Sequence, residues 1–459
     1  MKKTLSILLT FAIFICSLSL FAFSAEAATY EPDRTIYADS YMLINLDDDS
    51  YPVVAEKNPD KRQYPASLTK IVTAIVVLNN VSDLSQKTTM SQTAYESILG
   101  SGAQVAGIEI GEELSVEELL YLTMVHSACD ASQMLAEFVS GNSAEFVNLM
   151  NEWVNSIGCT DTHFVNPDGL HDTNHYTTAR DMAKITIEAM KNPDFVRISE
   201  TTQISFHGIN LNHTNLMLVP GYVTYYYEYA SGIKTGSTEE AEYCVVTKAS
   251  KDGYNYLAVV LKSPRQAING ENYETKCSFV DAKELFKWAF DSLKYTTLVS
   301  ADEVIGEVAV EDGKDADTVQ LVAKQDINVI VPAGLDKSAV IYETVDRPES
   351  ISAPVVKGQD VCKANIIYGD EVIATVDLVA AETIELSTFL KIINAIKTFF
   401  GFTAVKIILV IIVIVILSYI GVVISNNKKR KKRRQKRLDR NENENRNDDF
   451  LPPPQPPLR

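Results

Sequence analysis

The pattern of hydrophobic and polar positions divides the chain into unlike stretches. Met-Lys-Lys precedes an apolar run from Leu5 to Phe23, and small residues follow at Ala25 and Ala27, which predicts a secretory signal peptide over residues 1–27 with a mature start near Ala28. Alternation in 37–48 and 51–56 predicts a strand, an acidic turn and a return strand. The apolar run Leu68 to Leu78 reads as a helix, with Pro65 and Ser67 suiting its first positions. Helical spacing recurs over 116–140, 142–157 and 178–191, and strand patterns over 203–207, 230–236, 241–249 and 254–262. Val280 to Leu293 reads as an amphipathic helix carrying Phe286 and Trp288.

From about Thr297 the texture changes to short alternating runs of Val and Ile separated by Gly and Asp turns, which predicts a second, all-β domain ending near Leu386. Residues 387–402 are amphipathic, with the pattern of a helix lying on a membrane. Ile407 to Ile424 is apolar except for Ser418, Tyr419 and Gly421, enough to cross about 30 Å of hydrocarbon. Lys428 to Arg437 is almost unbroken Lys and Arg, a flank held on the cytoplasmic side. The domains expected are therefore 28–296, 297–386, a linker 387–402, a span 403–425 and a tail 426–459. After Arg440 the tail is polar and ends rich in proline, a composition of disordered or polyproline chain.

Composition changes this picture in one respect. The chain has 459 residues, 42 Lys and Arg against 60 Asp and Glu, and a net charge of −18. The tail holds 12 basic and 5 acidic residues, so the exported body alone carries about −26. An acidic body is a poor nucleic-acid binder, and the basic tail beside a span is better matched to anionic lipid headgroups. Six cysteines are too few for a disulfide-built scaffold.

Three short motifs carry chemistry. Ser67-Leu68-Thr69-Lys70 sets a hydroxyl and an amine one helical turn apart, the arrangement of a Ser–Lys nucleophile and base. Ser127-Ala128-Cys129 falls in a helical segment, and Lys234-Thr235-Gly236 on a strand. Each is weak alone; the order and the type of element carry the reading. The six His residues show no metal-ligand spacing, so no metal or other cofactor is expected.

With Pro65-Ala66-Ser67-Leu68-Thr69-Lys70, Asn166-Pro167-Asp168-Gly169-Leu170, Asn212-His213-Thr214-Asn215 and Gly232-Ile233-Lys234-Thr235-Gly236-Ser237-Thr238, the chain resembles the serine-type D-alanyl-D-alanine carboxypeptidases, low-molecular-weight penicillin-binding proteins. The resemblance runs over roughly 35–385 and includes Ala353 to Gln359 in the β-rich part. It implies an α+β fold: a β-lactamase/transpeptidase-like domain, an antiparallel sheet flanked by helices, then a small all-β domain and one membrane helix. It also implies roles. Ser67 would attack the carbonyl between the two D-alanines of a peptidoglycan stem pentapeptide, with Lys70 as base and Ser127 passing a proton to the leaving D-alanine. Lys234 and Thr235 would hold the terminal carboxylate, and Gly236 would leave room for substrate along the strand. The N–H groups of Ser67 and Ser237 would form the oxyanion hole, and Cys129 would contact substrate. β-Lactams are the implied inhibitors.

The departures are specific. Cys129 stands where the family has Asn, and a thiol hydrogen-bonds weakly where an amide does so well; in an exported compartment it is also open to oxidation or disulfide formation. Glu242 and Cys362 stand where the family has Gly. His126 and His213 read as structural, and Tyr222 to Tyr229 as a loop packed by its own aromatics. The competing readings are a catalytically impaired penicillin-binding scaffold, a D,D-endopeptidase, or a β-lactamase, the last disfavoured because Phe164 to Leu170 has no E-x-x-L-N pattern.

Overall fold

The computed structural model describes residues 29–266, 275–369 and 371–448. The signal-peptide stretch and the proline-rich end, 449–459, lie outside them. The chain divides into two compact units, Met1–Glu303 with Ala323–Asp346 and Cys362–Asp377, and Val304–Val322 with Arg347–Val361 and Leu378–Arg459.

The first unit is built on a five-stranded antiparallel sheet. Its strands are β1 (Ser40–Asn45), β2 (Val53–Lys57), β3 (Ala230–Thr238), β4 (Glu242–Lys251) and β5 (Tyr254–Ser263), in the order β2-β1-β5-β4-β3. Both faces are buried. Met42, Ile44, Val246, Leu257, Val259 and Leu261 enter one apolar cluster, while Tyr41, Leu43, Val245, Tyr256, Ala258 and Val260 enter another. This is the period-2 consequence of strand geometry, and it is why β5 reads as a continuous apolar run.

Five helices pack on the first face or near it: α1 (Thr69–Asn80), α2 (Val116–Tyr121), α3 (Cys129–Ser140), α4 (Ser143–Ser156) and α5 (Ala179–Met190). Every residue of α1 from Thr69 to Val77 is buried, so this helix is the axis of the first cluster. Capping fixes several starts. Ser115 and Glu118 form a reciprocal box at α2, Asn142 accepts from the Glu145 N–H at α4, and Thr178 accepts from the Asp181 N–H at α5. Helix α6 (Cys277–Ser292) covers the second face with Phe279, Leu285, Phe286 and Trp288.

Two differences from the sequence pattern stand out. The helix expected over 116–140 is interrupted: a π-helical turn, Leu122–His126, ends at Ser127, whose backbone is left-handed at φ 65° and ψ 31°. Apolar residues keep helical spacing through the break because Met124, Val125, Ala128 and Ala131 are all buried regardless of backbone path. The short helices Gln92–Ile98 and Pro193–Ser199 and the strand Ile209–Asn212 were not signalled by the pattern.

Beyond this sheet, Leu293–Val299 pairs antiparallel with Ile327–Pro332, and Ile341–Val345 with Asp360–Tyr368. In the second unit Val304–Glu311 pairs antiparallel with Thr318–Ala323 and parallel with Ser350–Ser352. The amphipathic stretch is α7 (Thr388–Gly401), capped by Ser387. Helix α8 (Thr403–Asp448) is long and apolar enough to cross a membrane, and its apolar residues are exposed all round. It also corrects the expectation for the tail: residues 441–448 are helical rather than irregular. No Gly or Pro interrupts the sequence between Gly421 and Pro452, so nothing breaks a helix already nucleated in the span.

Glu242 opens β4 with φ 54°. A left-handed backbone costs a residue with a Cβ about 1–2 kcal/mol, a cost that the glycine implied there by the resemblance would not bear. Glu242→Gly is therefore expected to stabilise the full chain in detergent by about 1 kcal/mol, read as a higher thermal unfolding midpoint; an unchanged or lower midpoint would contradict the strain.

Candidate active site

The site forms where three chain segments meet under the edge of β3. Ser67 sits in a 3-10 turn, Ala66–Leu68, that runs into α1. Ala66 has φ 47°, a strained backbone that aims Ser67 outward. The strain is held from below. The Ala66 carbonyl accepts from Thr69 Oγ1 at 2.8 Å, and Thr69 Oγ1 lies 2.7 Å from His175 Nε2. Because Val165 N–H donates to His175 Nδ1, the ring proton sits on Nε2 and donates to Thr69. Gly169 closes on the same turn: a Cβ there would fall 2.0 Å from the Ala66 oxygen.

Lys70 is fully buried, yet its ammonium has three acceptors. Nζ donates to Ser67 Oγ at 3.1 Å, to Cys129 Sγ at 3.3 Å and to the Asp168 carbonyl oxygen at 2.5 Å. Asp168 is fixed in turn by Gln133 Nε2 at 2.7 Å and by the Leu170 N–H. Cys129 opens α3, its N–H bonded to the Gln104 carbonyl. Burial raises its thiol above the ordinary value, opposed by the Lys70 charge. It is in no disulfide, so the bonded alternative is not realised.

Strand β3 supplies the far wall. Lys234 is buried, and desolvation, with the Lys70 charge behind it, drives its ammonium well below the usual lysine value. Its Nζ donates to the Thr235 carbonyl at 3.1 Å, a partner on its own chain neighbour. Thr235 Oγ1 donates to Thr214 Oγ1 at 2.7 Å. Asn215 ties this strand to the segment before it through Gly232 O at 2.7 Å and Thr247 Oγ1 at 3.1 Å. His213 is buried beside them and pushed down to about 3 by burial first and Lys234 second, so it is neutral and structural. Gly236 also has a packing duty. A Cβ there would lie 2.5 Å from Pro65 O and 3.3 Å from Leu68 N, so the glycine lets β3 press against the turn that carries Ser67.

A cleft of about 1150 Å³ opens on Ser67, Ser127, Cys129, Thr235, Gly236 and Ser237, with Lys70 and Lys234 buried behind them. All eight residues singled out by sequence thus converge on one region. Ser127 lines the cleft from its left-handed turn. Two residues were missed. Asp168 matters through its backbone oxygen, for which no side-chain signal exists. Arg265 reaches over the strand, donating to Ser237 Oγ at 2.6 Å and Thr238 O at 3.0 Å; it lies outside the three motifs. Among the described residues no cluster suited to a metal ion occurs.

Comparison with known proteins places this geometry. Residues 25–265 match the family described as D-alanyl-D-alanine carboxypeptidase, and residues 293–386 match the C-terminal domain of penicillin-binding protein 5. The D-alanyl-D-alanine carboxypeptidase DacA of Haemophilus influenzae is 31% identical over 80% of this chain and 90% of its own. The DacF protein of Bacillus subtilis is 28% identical over 85% of this chain and 96% of its own. The solved penicillin-binding protein 5 from Haemophilus influenzae superposes with a TM-score of 0.59 at 28% identity, over 78% of this chain and all of that one.

The buried imidazoles make a pH prediction. His213 and His175 are both held near about 3 by burial, against an ordinary value of 6.5. Below pH 6.5 the unfolded chain takes up protons that the folded chain refuses. The stability they contribute is whole above 6.5 and falls as pH is lowered toward 3, by about 1.4 kcal/mol per unit for each ring. Unfolding midpoints between pH 7 and 5 should fall steeply, and less steeply in His213→Asn; equal slopes would refute the assignment.

Proposed function

The chain belongs to the D-alanyl-D-alanine carboxypeptidase family, penicillin-binding proteins of the penicillin-binding protein 5 type, and from that premise we propose a serine mechanism with named residues. The observation that carries it is the short Lys70 Nζ to Ser67 Oγ contact at 3.1 Å. Ser67 attacks the carbonyl of the penultimate D-alanine of a stem peptide, and Lys70, in its neutral form, takes the hydroxyl proton. Ser127 delivers a proton to the departing D-alanine amine. The terminal carboxylate rests on Thr235 and Lys234, where the incoming anion stabilises the charged form of a buried, poorly partnered lysine. The N–H groups of Ser67 and Ser237 hold the oxyanion, and water releases the acyl-enzyme. β-Lactams acylate the same serine. Cys129 acts on Lys70, to which it is bonded, as well as facing the cleft. The scaffold alternative has no support in a site whose nucleophile, base and carboxylate partners are all present.

We assign the catalytic part to 28–296, the β-rich part to 297–386, and a single crossing by 403–425 that leaves the body outside and the basic tail in the cytoplasm. Anionic headgroups are then the tail's nearest partners.

Fluorescent penicillin should label the wild type and not Ser67→Ala. D-Alanine release from a pentapeptide should fall in that variant by about three orders of magnitude; persistent labelling would remove Ser67 from the mechanism. Cys129→Asn, which restores an amide, should raise release about fivefold, the equivalent of one neutral hydrogen bond. A slower Asn variant would mean the thiol is the better partner for Lys70. In intact cells, external protease should leave the tail uncut; digestion from outside would reverse the topology.

A further inference from the structure

The turn that carries Ser127 has a left-handed backbone, which a residue with a Cβ adopts only where its surroundings over-determine it. Within its own segment, the N–H groups of Ser127 and Ala128 both donate to the Leu122 carbonyl. Two further ties come from one residue of another segment. Gln104 Nε2 donates to the His126 carbonyl at 2.5 Å, and the Gln104 carbonyl accepts from the Cys129 N–H at 2.8 Å. Gln104 thus holds the position before Ser127 and the position two after it. It belongs to 99–112, a stretch without helix or strand between the helix Gln92–Ile98 and the strand Glu113–Ser115, and with Ser101, Gly102 and Ala103 it lines the cleft. This stretch is anchored in turn. The buried Asp130 carboxylate accepts from the N–H groups of Ala106 at 3.0 Å, Gly107 at 2.9 Å and Ile108 at 3.1 Å, charge-assisted bonds that fix the loop to the first turn of α3.

Resting on the reading of Ser127 as proton donor to the leaving amine, we propose that Gln104 is a positioning residue that brackets Ser127 and sets its hydroxyl for that transfer. Gln104 acts through Ser127, so its effect is confined to the step that needs Ser127. When the scissile C–N bond breaks, the electron pair stays on nitrogen, and the amine leaves only as it receives a proton. A thioester needs no such help: the C–S pair departs as a thiolate, because an ordinary thiol has a pKa of about 8.5. Attack by Ser67, proton removal by Lys70 and the oxyanion contacts are common to both kinds of substrate. The Gln104 side chain is exposed, so replacing it leaves the core untouched, and its backbone carbonyl remains in every variant.

The test uses the full chain in detergent, with Gln104→Ala and Gln104→Glu; the second keeps the size and replaces the donating amide by an acceptor. Two substrates are compared, the pentapeptide and an analogue with a thioester in place of the scissile amide. The readout is kcat/KM, which covers the steps through acylation. Both variants should lower kcat/KM for the pentapeptide about tenfold and leave the thioester within about twofold of wild type. Ser127→Ala should show the same selectivity with a larger loss. A merely structural glutamine would slow both substrates in proportion. That result, or Gln104 variants equal to wild type on both substrates, would overturn the bracket alone. A Ser127→Ala variant that loses nothing on the amide, or as much on the thioester, would overturn the proton-donor reading and the bracket with it.

Discussion

The structure of the site hangs on one buried amine. Lys70 has no exposed surface, and acceptors from three segments surround its Nζ: Ser67 Oγ, Cys129 Sγ and the Asp168 carbonyl. Each segment has its own fixing device. The first is the strained turn at Ala66, held by Thr69 and His175. The second is the start of α3, reached through the left-handed break at Ser127. The third is the loop at Asp168, held by Gln133 and closed by Gly169. Remove any of these and the Lys70 amine loses a partner.

Much of this was legible in the sequence because its chemistry is local. Ser67 and Lys70 are one helical turn apart, and Lys234 to Ser237 lie on one strand, so spacing alone states their relation. The strands of the sheet were likewise visible in the alternating and apolar runs. What was hidden is nonlocal or belongs to the backbone. A carbonyl such as that of Asp168 leaves no mark on the residue type. The break at Ser127 was masked because residues on both sides are buried, which preserves hydrophobic spacing through a change of backbone path. Gly236 was legible as a glycine but not for its reason, since the contact with Pro65 O comes from a segment about 170 positions away.

Cys129 illustrates how a departure from a motif can be absorbed. The thiol still reaches Lys70, but as a weak acceptor at 3.3 Å, while the Asp168 oxygen at 2.5 Å carries the stronger bond. The Lys70 amine is therefore held mainly by the loop at Asp168 rather than by the second motif. Burial keeps the thiol protonated, which makes it a poor nucleophile. Glu242 is a different kind of departure: it leaves the site intact and loads the strain onto the turn between β3 and β4.

Net charge turns out to be the wrong scale for thinking about substrate capture. Residues 28–425 carry about −26, which seen from afar repels an anion. At physiological ionic strength, however, the Debye length is about 8 Å, so exposed charges more than one such length away are largely screened. Inside the cleft the field is set by neighbours: Lys70 and Lys234 behind the wall, Arg265 and Lys276 at the lip, Glu239 and Glu240 beside them. Lys234 lies where desolvation first and the nearby Lys70 charge second disfavour its ammonium, and a nearby anion would relieve that disfavour. Attraction of an anion into the cleft therefore places no requirement on the sign of the whole body.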